Sequence, residues 1–257
     1  MPERTQYAPG VPSWIDIGTD VDGAKQFYGS LFGWDAQDAG PPEETGGYGF
    51  FMKDGKMVGG YGPQQNPGPP FWATYVSVAD ADETAKKVEQ AGGNVILAPM
   101  DVMGAGRMAV FQDPQGGFIS AWQPGEHQGA QLVNEPGTFC WNELNTRDVE
   151  GAKAFYTAAF GWDAETHEGG PMPYTEFKVG GESIAGCMQM PPMIPAQVPQ
   201  HWLVYFAVDD TDATVAKATE LGGAVRMPGM DTPAGRIAVL GDPQGATFAV
   251  IKLGEQA

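Results

Sequence analysis

The sequence predicts an α+β protein with two tandem domains, built from four βαβββ modules. Three observations carry this prediction: a long internal duplication, helices with clear start and stop signals, and short alternating runs joined by tight turns. A duplication on this scale indicates two copies of one folding unit. The chain of 257 residues is long enough for two domains that each contribute a core.

The duplication is carried by blocks that recur in the same order in the two halves. Residues 22–35 contain Gly-Ala-Lys-Gln-Phe-Tyr and end in Phe-Gly-Trp-Asp, and residues 150–163 repeat this pattern. The block Gly106–Gly116 (GRMAVFQDPQG) matches Gly235–Gly245 (GRIAVLGDPQG). So many matches in one order indicate that the halves are copies of one domain.

The offset and a weaker repeat inside each half define the organisation. The blocks lie between 127 and 130 residues apart, which predicts domains at residues 1–128 and 129–257. Within each half, an apolar run, an Asp-rich turn and a helix occur twice. The short runs that follow each helix predict three further strands per module.

Each predicted helix has a start signal and a stop signal. Aspartates stand at the expected N-caps and glycines follow the last turns. These residues are Asp20, Asp80, Asp148 and Asp210 at the starts, and Gly33, Gly92, Gly161 and Gly222 at the ends. The pair Asp54-Gly55 inside an alternating run predicts a hairpin turn.

The composition excludes several classes of function. The chain has 14 basic and 32 acidic residues and a net charge of −18, so nucleic acid and anionic membranes are poor partners. Its apolar runs are too short and too interrupted to span a membrane. The N-terminus lacks an apolar signal segment, and the two cysteines form no CxxC pair. We therefore expect a cytoplasmic protein.

The modules, the Phe-Tyr helices and the paired GR…DPQG blocks resemble the glyoxalase/bleomycin-resistance/dioxygenase superfamily, also called vicinal oxygen chelate. The stretch Gly129–Gly137, followed by Trp-Asn-Glu-Leu at 141–144, resembles its two-domain actinobacterial glyoxalase-like group, whose members are often labelled hydroxylases or glyoxalases. The resemblance covers essentially the whole chain. It implies two domains with curved mixed sheets, each curled around a cavity.

The resemblance also implies a divalent metal, held by His or Gln on the first strand and Glu on the last strand of each module. The positions that align with these ligands hold other residue types. They are Trp14, Ala73, Trp141 and Leu203 on the first strands, and Ser120 and Ala249 on the closing strands. We therefore expect no bound metal and no other cofactor.

The three histidines also offer no clear metal ligand. His127 lies in the linker between the halves, and His167 lies in a Gly-rich loop. His201 precedes a strand and could approach the mouth of the second cavity. We expect all three to be solvated or satisfied by local contacts.

Strand alternation places an aromatic residue and a carboxylate on the same face in both halves. Trp14 shares a face with Asp16, and Trp141 shares a face with Glu143. A carboxylate among aromatic rings has a raised pKa and could act as an acid or base. The alternative is structural, because Arg107 and Arg236 occur at equivalent places and could pair with these carboxylates.

Two tyrosines at equivalent strand positions, Tyr75 and Tyr205, could floor the same cavities, although ordinary sheet packing explains them equally well. The predicted ligand-binding residues are Trp14, Asp16, Tyr75 and Arg107 in the first cavity, and Trp141, Glu143, Tyr205 and Arg236 in the second. The bulk of Leu203 and Trp141 predicts that the second cavity is filled, which favours the first.

The sequence thus predicts a metal-free protein that binds a small aromatic or amphipathic molecule. The alternative is a metal-dependent or carboxylate-dependent enzyme of glyoxalase, lyase or hydroxylase type. Four modules in one chain suffice for two cavities, so we expect a monomer.

Overall fold

A computed structural model describes residues 3–65, 67–169, 172–192 and 194–254, and these form two eight-stranded sheets with helices. The elements of the first half are β1 (Pro12–Thr19), α1 (Val21–Phe32), β2 (Asp35–Asp38), α2 (Pro42–Thr45), β3 (Gly49–Lys53), β4 (Lys56–Pro63), β5 (Trp72–Ser77), α3 (Ala81–Gln90), β6 (Asn94–Val102), β7 (Gly106–Gln112) and β8 (Phe118–Pro124). Those of the second half are β9 (Phe139–Thr146), α4 (Val149–Phe160), β10 (Asp163–His167), β11 (Tyr174–Val179), β12 (Glu182–Gln189), β13 (His201–Ala207), α5 (Thr211–Glu220), β14 (Ala224–Thr232), β15 (Gly235–Gly241) and β16 (Thr247–Leu253).

The predicted module occurs four times, so the α+β class with two tandem domains is confirmed. The first sheet has the strand order β2-β3-β4-β1-β5-β8-β7-β6, and the second repeats it as β10-β11-β12-β9-β13-β16-β15-β14. Both sheets are mixed, because the first strand of each module pairs in parallel with the last. Neither sheet closes on itself.

Local signals set the ends of the helices largely as predicted. The side chains of Asp80, Asp148 and Asp210 each accept a hydrogen bond from a backbone N–H in the first helical turn. Asp20 stands at the N-cap of α1 but its side chain accepts no such bond. Asp54 and Gly55 form the predicted hairpin turn with φ of 50° and 72°.

The hydrophobic cores lie between the two sheets and not inside each half. One core combines the α1 module with the last module of the chain, and Phe32 packs against Phe206 at 5.0 Å between ring centroids. The other combines the α3 module with the α4 module. The helix-bearing faces of the two sheets therefore face each other and bury their apolar residues together.

Each DPQG turn docks on the Phe-Tyr helix of the other half. The hydroxyl of Tyr28 donates to Asp242 at 3.0 Å, and Trp72 Nε1 donates to Tyr28 at 3.0 Å. The equivalent chain in the second copy consists of Trp202, Tyr156 and Asp113. The DPQG turn of one half and the Phe-Tyr helix of the other thus meet in one contact between domains. We call the Tyr28–Asp242 and Tyr156–Asp113 contacts the Tyr–Asp latch.

Within the described part of the chain, no helix has the length and apolar character needed to cross a membrane.

Candidate functional site

Strand β1 carries the first candidate site on the face opposite the helices. Ile15 and Ile17 are fully buried in the core between the sheets, so Trp14 and Asp16 project from the other face. Trp14 is nevertheless only 3% exposed and Tyr75 on β5 only 8% exposed. The rings of Phe50 and His127 pack against Trp14. We call the sheet face that carries Trp14 and Asp16 the concave face, after the curved sheets that the sequence resemblance implies.

Two tyrosines hold one oxygen of the Asp16 carboxylate. The hydroxyls of Tyr48 and Tyr75 both donate to Oδ2 of Asp16 at 3.0 Å. Trp14 Nε1 donates to the Tyr48 hydroxyl at 3.0 Å and fixes its position. Gly60 makes this arrangement possible, because a β-carbon there would collide with the Tyr48 hydroxyl. The carboxylate is therefore held rigidly by groups on three strands or their ends.

The second oxygen of Asp16 has no hydrogen-bond partner among the described residues. No hydrogen bond reaches Oδ1, and this atom is not among the fully enclosed polar atoms. Burial raises the pKa of Asp16 to about 6, against the opposing effect of the two tyrosine hydroxyls. Asp16 thus offers one free acceptor oxygen and titrates close to neutral pH.

The second half repeats this arrangement around Glu143. Tyr205 donates to Oε1 of Glu143 at 2.8 Å, and Tyr174 donates to Oε2 at 3.0 Å. Trp141 Nε1 donates to the Tyr174 hydroxyl at 3.0 Å, as Trp14 does to Tyr48. The sequence-derived pairs on β1 and β9 therefore come together with Tyr75 and Tyr205 in the two copies.

The two carboxylates differ in what they can still bind. Both oxygens of Glu143 accept from tyrosines, and the residue is 5% exposed. Leu203 stands beside Glu143 on the neighbouring strand, where Ala73 stands beside Asp16. The larger side chain packs in an apolar cluster on this face. Glu143 is thus a closed structural group, while Asp16 is open on one side.

The two arginines in the predicted ligand sets lie elsewhere. Arg107 forms ion pairs with Asp82 and Asp101, at 2.8 and 2.9 Å. Arg236 repeats this with Asp212 and Asp231, at 2.9 and 3.0 Å. Each arginine is drawn to acidic residues on the adjacent helix and strand. The expected pairing with Asp16 or Glu143 is therefore wrong, and neither arginine belongs to the carboxylate site.

His127 also departs from the sequence expectation. Its ring lies 4.4 Å from the Trp14 ring, edge to face, with Phe50 and Trp122 at 5.9 and 5.5 Å. Both ring nitrogens are buried without a hydrogen-bond partner in the described structure. Burial lowers the pKa of His127 to about 4, so the ring is neutral. The linker histidine is therefore enclosed by aromatic residues and not solvated.

The other two histidines remain outside both carboxylate sites. His167 is about half exposed and lies 3.6 Å from Glu176. His201 Nδ1 lies 2.9 Å from the carbonyl oxygen of Pro199, an exposed local contact.

Sequence reasoning missed Tyr48 and Tyr174, although a signal was present. Tyr48 precedes β3 and Tyr174 begins β11, and each is followed three residues later by a buried phenylalanine, Phe51 or Phe177. This repeated pattern marks equivalent positions in the duplication. It could have identified the tyrosines as a matched pair.

The residues on the concave face do not fit the metal site that the fold family implies. At the level of Asp16, the neighbouring strands bring Gly60 and Ala73, and Ser120 follows beside Tyr75. Divalent metals take several carboxylate or imidazole ligands from the protein. Here one carboxylate is present, with one of its oxygens already held by two tyrosines. Among the described residues, no three His, Cys, Asp or Glu side chains come together.

Two surface clefts border this region. One of about 280 Å³ has Tyr48 in its wall, together with Lys25 and Asp38. The other, of about 260 Å³, lies between the N-terminal segment and the linker and is lined by Glu126, Gln128 and others. Neither cleft includes Trp14 or Asp16 in its walls. Beside Trp14, the concave face is occupied by the rings of Phe50 and His127.

Comparison with known proteins identifies the class. The model of the Glyoxalase/Bleomycin resistance protein/Dioxygenase superfamily matches residues 17–120 and 138–250. The chain is 45% identical over 260 aligned residues to "Putative glyoxylase CFP32" of Mycobacterium tuberculosis, covering 98% of both chains. It is 42% identical to "Anthracycline biosynthesis protein DnrV" of Streptomyces peucetius, covering 98% of this chain and 96% of that one.

Solved structures share the fold at low sequence identity. The Mn(II)-bound glyoxalase of Novosphingobium aromaticivorans matches with a TM-score of 0.64 and 14% identity, covering 96% of this chain and 86% of that one. The 2,3-dioxygenase LapB of Pseudomonas sp. KL28 matches with a TM-score of 0.63 and 12% identity, covering 98% and 95%. The protein belongs to the glyoxalase/bleomycin resistance/dioxygenase superfamily.

Proposed function

We propose that the first domain binds a small aromatic molecule that carries a hydrogen-bond donor. The ring would stack on Trp14, and the donor would reach the free Oδ1 of Asp16. The observation that carries this proposal is the contrast between the two carboxylates: one oxygen of Asp16 has no partner among the described residues, and both oxygens of Glu143 accept hydrogen bonds. Small-molecule sites combine aromatic walls with few fixed polar groups in this way.

The size of the ligand follows from the spacing of the two contacts. Trp14 and Asp16 are two residues apart on one strand, which separates them by about 6.5–7 Å. A fused two-ring or three-ring phenol spans this distance. The name of one relative, an anthracycline biosynthesis protein, supports this class, since anthracyclines are fused-ring compounds with phenolic hydroxyls.

Titration with 2-naphthol and with naphthalene tests this proposal. A charge-assisted hydrogen bond contributes about 1.5–3 kcal/mol, so 2-naphthol should bind at least about tenfold more tightly than naphthalene. We expect one site per chain by calorimetry. Equal affinity for the two probes, or the absence of binding by 2-naphthol, would overturn the proposal.

We further propose that this site works without a metal. A single carboxylate with two tyrosine donors supports this, because the donors already satisfy one of its oxygens. Protein purified without chelators should contain far less than one divalent ion per chain by elemental analysis. One tightly held ion per chain would contradict this.

A second candidate is proton transfer by Asp16. A carboxylate with a pKa of about 6 and a free oxygen suits the removal of a proton next to a carbonyl group. The proton would pass to Oδ1, leaving an enolate that takes a proton back. We expect the protein to accelerate deuterium exchange into 2-tetralone in heavy water, and Asp16→Asn to remove the acceleration. An unaccelerated exchange rate would rule out this candidate.

We also propose a cytoplasmic monomer that does not bind nucleic acid. Each carboxylate site is assembled from one chain, and the net charge of −18 opposes self-association. Light scattering at physiological salt should give the mass of one chain, 27.3 kDa. A stable dimer at low concentration would contradict the assembly proposal.

A further inference from the structure

His127 occupies the position on Trp14 where the proposed ligand would stack. Its imidazole meets the Trp14 ring edge to face at 4.4 Å, and Phe50 and Trp122 close the sides. All three aromatic residues belong to strands of the first sheet, whereas His127 belongs to the linker. The aromatic cage is therefore formed by strands of the first sheet and filled by the segment that follows β8.

The ring nitrogens of His127 lack hydrogen bonds in this position. Both of its ring nitrogens are buried, and neither has a hydrogen-bond partner among the described residues. Folded proteins leave few buried polar groups unpaired, because each such group loses its hydration without replacement. The imidazole would regain hydrogen bonds by leaving the cage for water. An apolar ring of similar shape would lose nothing by taking its place.

The backbone at His127 is fixed, so the side chain must be the moving part. His127 N donates to the Ala105 carbonyl at 2.9 Å, and Trp122 Nε1 donates to the His127 carbonyl at 2.8 Å. On the outer side of the linker, the exposed residues Glu126 and Gln128 line the cleft of about 260 Å³. Rotation about the Cα–Cβ bond can carry the imidazole towards solvent there.

We propose that His127 is a displaceable plug that determines which molecules the first cavity accepts. A ligand binds when its ring replaces the imidazole on Trp14, so it must stack better than imidazole does. Fused aromatic rings meet this requirement because they bury more apolar surface and carry no unpaired nitrogen. Small polar molecules do not. This inference rests on the proposed ligand site of the first domain.

The test compares 2-naphthol binding by the wild type, His127→Ala and His127→Phe. The alanine variant opens the cage and should bind at least about tenfold more tightly than the wild type. The phenylalanine variant refills the cage with a ring that gains nothing from water, so it should bind more weakly than the wild type. His201→Ala, a histidine outside the cage, is the matched control and should leave the affinity unchanged. Circular dichroism establishes that each variant is folded.

The outcomes separate this inference from the proposed function. Binding by the wild type with no change in His127→Ala would overturn the plug and leave the ligand site standing. Weaker binding by the alanine variant would also overturn it, because His127 would then contact the ligand. Failure of the wild type to bind 2-naphthol would overturn the ligand site and, with it, the plug.

Discussion

Asp16 and Glu143 occupy equivalent positions on β1 and β9, but their side chains differ by one methylene group and are hydrogen-bonded differently. The longer Glu143 side chain presents one oxygen to each of two tyrosines, whereas Asp16 presents a single oxygen to both. The other oxygen of Asp16 has no hydrogen-bond partner among the described residues. Duplication has thus produced one closed carboxylate and one open carboxylate on the same scaffold.

The raised pKa of Asp16 predicts a specific pH dependence of stability. The pKa is about 6 in the folded protein against an ordinary value of 3.8, so the folded state binds the proton more tightly. This contribution stabilises the protein at low pH and is lost as pH rises from about 4 through about 6. The wild type should therefore lose about 2–3 kcal/mol of unfolding free energy between pH 4 and pH 8 that Asp16→Asn does not lose. The variant becomes more stable relative to the wild type by this amount. Urea titrations at both pH values measure it, and a constant difference would contradict the assignment.

Trp14 provides a second prediction at the residue scale. Replacing Trp14 with Ala should weaken 2-naphthol binding by about 1–3 kcal/mol, the usual cost of losing a buried aromatic contact. Trp141→Ala is the matched control, because it removes the equivalent ring beside the closed carboxylate. Equal loss in the two variants would show that the effect comes from general destabilisation. Circular dichroism checks that both remain folded.

At the scale of elements, the fold was largely predictable because its signals are local. Asp caps, Gly stops and the Asp54-Gly55 turn depend on residues close in sequence, and they set the helices and hairpins. The face of β1 that carries Trp14 and Asp16 followed from alternation alone. The Tyr48 contact did not, because it depends on how the residue before β3 is placed against β4.

Other features of the site could not be predicted from the sequence, and the reasons are again physical. Arg107 lies directly opposite Asp101 in the β6–β7 hairpin, so its pairing follows from strand register, which the sequence did not fix. The place of His127 depends on two hydrogen bonds: its backbone N–H donates to the Ala105 carbonyl, and Trp122 Nε1 donates to the His127 carbonyl. Neither contact is visible in the local pattern.

The Tyr–Asp latch gives a prediction for the interface between elements of the two domains. Tyr28→Phe leaves Trp72 Nε1 without its acceptor and removes a donor from buried Asp242, at a cost of about 1–3 kcal/mol of unfolding free energy. Tyr61→Phe is the control, because its hydroxyl donates to the exposed Asp38, where water can replace it. That variant should stay within about 0.5 kcal/mol of the wild type. Equal costs would mean that the latch contributes no more than a surface bond.

At the scale of the whole molecule, the two domains depend on each other for their cores. The α1 module packs on the last module of the chain, and the α3 module packs on the α4 module. A separated domain would expose its helix-bearing face to water. Stability is therefore a property of the pair.

This dependence predicts the behaviour of the halves proposed as domains, residues 1–128 and 129–257. Each fragment alone should lack a cooperative unfolding transition, and mixing the two should restore one, because association re-forms the shared cores. Unfolding followed by fluorescence and circular dichroism measures this. Cooperative unfolding of an isolated fragment would contradict the prediction.

The most direct test of the central claim is calorimetric titration of Asp16→Asn and Glu143→Gln with 2-naphthol. The two substitutions make the same chemical change at equivalent positions, and only Asp16 has an oxygen free for a ligand. We predict one site per chain, with at least about tenfold weaker binding in Asp16→Asn and unchanged binding in Glu143→Gln. Unchanged affinity in Asp16→Asn, or an equal loss in both variants, would contradict the account.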